Sequence, residues 1–257
     1  MEMTSYPPGT PSWVDLGTPD LDAAAAFYGA LFGWTCDPGP PEFGGYRMCL
    51  LRGAPVAGMG PQGNPDMPPW WTTYVSVASA DAAAAAIEAA GGTLVVPPMD
   101  VMDVGRMAVA ADPAGALFSL WEPRSHPGAA LVNEPGTLCW NELTTRQPQE
   151  SITFYGSVFG WTASTTTTDP MPYTEFQLDG RGIGGMMVMD GDMWPPEIPN
   201  HWMVYFAVAD VDATAARCVE LGGAAPVPPT DIPPGRFAVL NDPAGAVFSV
   251  IQFAQPI

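Results

Sequence analysis

The strongest constraint on this chain is that it contains the same segment twice. Gly9-Thr10-Pro11-Ser12-Trp13-Val14-Asp15-Leu16 opens one copy, and Gly136-Thr137-Leu138-Cys139-Trp140-Asn141-Glu142-Leu143 opens the other. Trp13 and Trp140 stand 127 residues apart. The same offset relates Phe27-Tyr28 to Phe154-Tyr155, Phe32-Gly33-Trp34-Thr35 to Phe159-Gly160-Trp161-Thr162, and Tyr46 to Tyr173. Further on it drifts slightly, so that Trp71 matches Trp202 and Asp112-Pro113-Ala114-Gly115 matches Asp242-Pro243-Ala244-Gly245. A period this long means a duplicated domain, since solenoid units are far shorter. The copies divide the chain into modules at residues 1–123 and 136–257, joined by a linker at 124–135. Two like modules facing each other enclose a cavity, and a functional site is expected there.

A hydrophobic fraction of 47% suffices for two cores. The longest apolar run, Asp81 to Ala90, is short and alanine-rich, and nothing reads as a signal peptide or membrane span. A cytoplasmic protein is the expectation. Twenty-seven acids face eight bases, all arginine, for a formal net charge of −19. That balance argues against nucleic acid and anionic membranes as partners, because both recruit basic patches. The four cysteines, Cys36, Cys49, Cys139 and Cys218, form no C-x-x-C pair, and free thiols are expected from them. A monomer or homodimer is expected.

Each module reads as β-α-β-β repeated. Trp13-Val14-Asp15-Leu16 alternates as a strand, with Trp13 and Asp15 on one face and Val14 and Leu16 on the other. Thr18-Pro19-Asp20 offers a helix start, and Gly33 a helix stop after Phe32. Arg52-Gly53 and Asp179-Gly180 mark hairpins. A proline-rich loop follows each hairpin. Next come a strand from Trp71 or Trp202 and a helix ending at Gly91-Gly92 or Gly222-Gly223, then strands closed by the Asp-Pro-Ala-Gly turn. The predicted fold is α+β. Each of two tandem modules carries a curved four-strand mixed sheet and two helices, giving four β-α-β-β units around a cavity. Ser164 to Asp169, of low complexity, reads as a mobile loop carrying no site.

The run Ala-x-x-Phe-Tyr-x-x-x-Phe-Gly-Trp from Ala24 to Trp34 recurs in the second copy with Ser151 for the alanine. Later come Gly105-Arg106 or Gly235-Arg236, then Asp-Pro-Ala-Gly-Ala-x-Phe-Ser. With these motifs the chain resembles the vicinal oxygen chelate superfamily, which includes glyoxalase I, bleomycin-resistance proteins and extradiol dioxygenases, in a two-module actinobacterial form. The resemblance covers almost the whole chain and implies the fold. It leaves function open, because members isomerise, oxygenate or only bind.

The resemblance also implies where a divalent metal would sit: near Trp13 and Trp140 on the first strands, near Thr72 and Met203 on the middle strands, and at Ser119 and Ser249 on the last. None of the six is a good ligand. Neighbouring Asp15, Glu142 and His201 are too few to replace them, so neither metal nor cofactor is expected. Those three are the only candidates for acid–base chemistry. His126, in the linker, has no expected role. No G-x-S-x-G element and no glycine-rich strand-to-helix turn suggests a nucleophile or a nucleotide site.

Aromatics and methionines are abundant instead. Phe27, Phe32, Phe118, Phe154, Phe159 and Phe248 fit core faces, whereas Trp13, Trp121 and Trp140 lie on the sheet face away from the helices. Met59, Met186, Met187, Met189 and Met193 cluster around the hairpins and the loop after them. The expected ligand-contacting set is Trp13, Asp15, Met59, Tyr74, Ser119, Trp121, Trp140, Glu142, Met186, His201, Met203, Tyr205 and Ser249. Such a lining suits a flat hydrophobic aromatic or polycyclic small molecule. The expected function is its metal-free binding, for antibiotic sequestration and self-resistance or for carrying a pathway intermediate, roles the resemblance implies. The alternative is an enzyme of the same superfamily, glyoxalase-like or of hydroxylase or oxygenase type. It would be metal-dependent or would use Asp15, Glu142 or His201 as acid or base.

Overall fold

The computed structural model describes residues 1–40, 44–64, 66–167, 172–191 and 194–255. The first copy folds as β1 (Pro11–Thr18), α1 (Leu21–Phe32), β2 (Arg47–Leu51), β3 (Ala54–Pro61), β4 (Trp70–Ser76), α2 (Ala80–Ala89), β5 (Thr93–Val101), β6 (Gly105–Ala111) and β7 (Leu117–Pro123). The second gives β8 (Leu138–Thr145), α3 (Pro148–Phe159), β9 (Thr162–Thr166), β10 (Tyr173–Leu178), β11 (Arg181–Val188), β12 (His201–Ala207), α4 (Val211–Glu220), β13 (Ala224–Ile232), β14 (Gly235–Asn241) and β15 (Val247–Phe253). The duplication and the order of elements are as the sequence indicates. The sheets are larger than four strands: one has seven, in the order β2-β3-β1-β4-β7-β6-β5, and the other eight, β13-β14-β15-β12-β8-β11-β10-β9. All the strands of a copy join one sheet. Its central pair, β1 with β4 or β8 with β12, runs antiparallel, and each member has a parallel neighbour outside it. Thr162–Thr166 forms an edge strand against β10, so the first half of the segment expected to be a mobile loop, Ser164 to Thr166, is ladder; Thr168 and Asp169 lie outside the described residues.

Local chemistry sets the helix ends. The Asp20 carboxylate accepts from the amides of Asp22 and Ala23 at the start of α1, and Gly33 closes the helix at φ 78°. Arg106 of the Gly-Arg motif reaches Asp81 in the first turn of α2 through two nitrogens, both at 2.9 Å, and Arg236 does the same to Asp212 on α4.

The helix-bearing faces of the two sheets turn toward each other, with β4 packed directly on β12, and each hydrophobic core draws on both copies. In one, Phe27, Tyr28, Phe32, Trp34 and Trp71 pack with Phe206 and Phe248 of the second copy. In the other, Ile87, Phe118 and Leu120 pack with Phe154, Tyr155, Trp161 and Trp202. The motif residues make the polar joints. Tyr28 donates its hydroxyl to Asp242 (3.1 Å) and accepts from Trp71 Nε1 (3.0 Å). Tyr155 donates to Asp112 (3.1 Å) and accepts from Trp202 Nε1 (2.8 Å). Trp34 Nε1 donates to the Gly136 carbonyl and Trp161 Nε1 to that of Gly9, both at 2.7 Å. The Phe-Tyr and Asp-Pro-Ala-Gly motifs of opposite copies are thus partners.

The cysteines depart from expectation. Cys36 and Cys49 are joined by a disulfide, with Cα atoms 4.2 Å apart, while Cys139 and Cys218 are free and buried. The cause is register. A two-way backbone rung between Thr35 and Leu50, 2.9 Å in each direction, sets Cys36 opposite Cys49. The matching pair in the second copy is Ala163 and Phe176. A cross-link spanning 13 residues stabilises a chain by about 3 kcal/mol. Adding a thiol reductant should therefore lower the melting temperature, and the Cys36→Ala/Cys49→Ala protein should melt at the lowered temperature with or without reductant. A wild-type melting temperature indifferent to reductant would show the bond is absent.

Among the described residues no helix is long and apolar enough to cross a membrane. The linker is more ordered than its role as a connector implies. Ala129, Leu131 and Val132 are buried. Leu131 bridges to Glu2, and the Met1 ammonium donates to the Val132 carbonyl at 2.7 Å.

Candidate functional site

The sheet face away from the helices carries a polar network built twice. In the first sheet, Trp13 pairs with Tyr74, Asp15 with Thr72, and Tyr74 with Ser119 across β1, β4 and β7. Strand alternation turns all of them to one side. Tyr74 donates its hydroxyl to Asp15 Oδ2 at 2.8 Å. Tyr46, just before β2, brings its hydroxyl to the same carboxyl and accepts from Trp13 Nε1 at 3.0 Å. The second sheet repeats it: Tyr205 donates to Glu142 Oε1 at 2.9 Å, and Tyr173 brings its hydroxyl to Glu142 while accepting from Trp140 Nε1 at 2.8 Å. Tyr46 and Tyr173 were absent from the expected site, although both keep the 127-residue offset that would have flagged them.

Glycine makes room for these tyrosines. A Cβ on Gly58 would lie 1.7 Å from the Tyr46 hydroxyl, and one on Gly185 would lie 1.8 Å from that of Tyr173. The ring crosses β3 or β11 against bare backbone to reach the carboxyl.

Burial sets the electrostatics. It pushes the Asp15 carboxyl up to about 6 against the opposing hydrogen bonds of Tyr74, Tyr46 and Thr72. It also raises Glu142, which the Tyr205 and Tyr173 hydroxyls pull the other way. The four tyrosines are themselves raised, first by burial and then by the adjacent carboxylate. His201 stands opposite Thr144 at the edge of the second face, its Nδ1 2.8 Å from the Pro199 carbonyl oxygen, and burial lowers its pKa. The Ser119 and Ser249 hydroxyls are buried without a hydrogen-bond partner.

Most of the expected residues gather on these two faces: Trp13, Asp15, Tyr74, Ser119 and Trp121 on one, and Trp140, Glu142, His201, Met203, Tyr205 and Ser249 on the other. Met59 and Met186 do not. Met59 pairs with Leu16, and Met186 with Leu143, all buried under the helices. Gly58 and Gly185 take the site-facing positions beside them, so alternation sends these methionines into the core. Met187 faces the site instead, Met189 is buried, and Met193 lies outside the described residues.

The two faces differ in cover. In the first module Trp13 is 3% exposed, shielded by Ala129 and Val132 of the linker and by Met3 and Tyr6. In the second module Trp140, Met203, Ile232, Phe237 and Phe253 are only half-buried around Tyr205 and Ile251. Two surface clefts, of about 340 and 410 Å³, lie elsewhere, between α1 and α4 and beside the loop after β3.

The donor set does not fit a divalent metal. Each face offers one carboxyl, already holding one tyrosine hydroxyl with a second beside it, near indole, hydroxyl and, in the second module, thioether groups. Among the described residues no three His, Cys, Asp or Glu come together as a ligand set.

Comparison with known proteins agrees with this fold. The sequence model described as Glyoxalase/Bleomycin resistance protein/Dioxygenase superfamily matches residues 137–250, and that of a Glyoxalase-like domain matches 13–121. The chain belongs to the glyoxalase/bleomycin resistance/dioxygenase superfamily, the vicinal oxygen chelate fold. It is 45% identical over 256 residues to the Mycobacterium tuberculosis protein named "Putative glyoxylase CFP32", covering 97% of both chains. It is 40% identical over 278 residues to "Anthracycline biosynthesis protein DnrV" of Streptomyces peucetius, covering 98% of this chain and 96% of that one. Among solved structures, the Mn(II)-bound glyoxalase of Novosphingobium aromaticivorans superposes with a TM-score of 0.68 at 18% identity, over 97% of this chain and 83% of that one.

Proposed function

We propose that the protein binds a flat, largely apolar polycyclic aromatic molecule on the open face of its second module, without a metal. The observation that carries this is the half-buried apolar set of Trp140, Met203, Phe237 and Phe253 around a buried carboxyl and an unpartnered Ser249 hydroxyl. Indole and phenyl faces accept a planar ring system, and the few polar groups fix its orientation. The relative named for anthracycline biosynthesis supports a polycyclic ligand, anthracyclines being fused-ring aromatics. Carrying such a compound or holding it away from its target fits a module with an aromatic face and no ligand set for a metal.

A second reading, acid–base catalysis by Glu142, is favoured by the place of this carboxyl, raised by burial, beside the half-buried Trp140 and Met203 of the open face.

The tricyclic dihydroxyanthraquinone alizarin is a suitable probe. It should quench tryptophan fluorescence and saturate, and dialysis of the protein against EDTA should leave the affinity unchanged. Trp140→Ala should weaken binding about tenfold or more, equivalent to about 1.4 kcal/mol. Affinity that falls with EDTA and returns with Mn(II) would overturn the metal-free reading. Conversion of the probe that Glu142→Gln abolishes would install the catalytic one.

A further inference from the structure

The polar network is the same in both modules, yet only one tryptophan at its head is covered, and the linker supplies the cover. The linker leaves β7 past the β5–β6 turn, where the His126 amide donates to the Val104 carbonyl at 3.1 Å. It crosses to the start of β1, where the Ala129 amide donates to Ser12, and then to the start of β3, where the Ala130 amide donates to Pro55. Tyr6 holds it from outside through the Ala129 carbonyl at 2.8 Å.

On this path His126 is set against the site. Its ring centre is 4.5 Å from that of Trp13, with the planes at 85°, and 5.7 Å from that of Trp121. The Trp121 Nε1 donates to the His126 carbonyl at 2.8 Å. The residue is half-buried, but its Nε2 is shielded from solvent and has no hydrogen-bond partner among the described residues. Burial pushes the imidazole down to about 4, so it is a neutral flat ring at physiological pH. Among the described residues nothing crosses the corresponding end of the second module, where Trp140 and Phe253 stay half-buried.

The geometry points to His126 as an internal occupant of the first module's site, set edge-on to Trp13 where the second module would receive one ring of its ligand against Trp140. The chain then has a single working site. This rests on the proposed binding function for the second module and on geometry alone for the first.

The test uses the whole chain and two probes. Wild-type protein should take up one alizarin, and Trp140→Ala should bind it about tenfold or more weakly. In His126→Ala the vacated space should accept free imidazole, raising the melting temperature of that variant at millimolar concentration and not that of wild type. Two alizarins bound per wild-type chain, or a folded His126→Ala protein that imidazole does not stabilise, would overturn the assignment. Imidazole rescue with no alizarin bound by wild type would leave the assignment standing and overturn the binding function of the second module instead.

Discussion

Asp242→Ala is expected to destabilise the protein by about 3–6 kcal/mol, and Asp112→Ala by a similar amount, although neither residue is near the candidate site. The Asp242 carboxyl accepts from the Ala244 and Ala246 amides, both at 2.9 Å, and from the Tyr28 hydroxyl of the other copy. Removing it strands three donors in an interior where Asp242 is itself only 4% exposed. Each buried donor left without a partner costs about 1–3 kcal/mol. Tyr28→Phe removes the hydroxyl and leaves the turn intact, so it should cost less, mainly the acceptor lost by Trp71 Nε1. Chemical denaturation of the three variants gives the ranking. If Tyr28→Phe proved as damaging as Asp242→Ala, the turn would not be where the energy resides.

A second large effect should appear as pH dependence. The Asp15 carboxyl is raised from 3.8 to about 6, and Glu142, Asp112 and Asp242 are raised as well, each chiefly by burial. Above the unfolded value of about 4 the folded state holds more protons than the unfolded chain, so stability falls as pH rises, for Asp15 through the window to about 6. For Asp15 alone the shift corresponds to roughly 3 kcal/mol lost by neutral pH. Asp15→Asn should recover up to that amount at pH 7, less the second acceptor it gives up, and gain little at pH 4. Exposed Asp81, Asp100 and Asp212, lowered mainly by hydrogen bonds from Arg106 and Arg236, act in the opposite sense, but solvent screens them. Denaturation midpoints of wild type and Asp15→Asn between pH 4 and 8 test this. Parallel curves would mean the carboxyl is not buried as described.

Much of this was legible in the sequence. The offset between copies gave the duplication, and the turn and cap residues gave the element order. Trp13, Asp15, Trp140 and Glu142 could be set on one face because alternation along a strand is strict. The errors have equally definite causes. Met59 and Met186 sit one residue from the glycines that face the site, and one residue on a strand is the other side of the sheet. The Cys36–Cys49 bond depends on a rung at Thr35–Leu50 that spacing does not reveal. Repetition shows that Tyr28 and Asp242 are motif residues, but not that each belongs with the opposite copy. The linker's apolar run Ala129-Ala130-Leu131-Val132 was a visible sign that it packs on something.

The exchange of partners between copies bears on how the two halves came to differ. Tyr28 on Asp242 and Tyr155 on Asp112 are the same handshake seen from either side, as two unlinked copies would make it across a twofold axis. Such a pair has two identical ends. A single covalent connector can run over only one of them, so joining the copies into one polypeptide is by itself enough to make one end a closed room and the other a doorway.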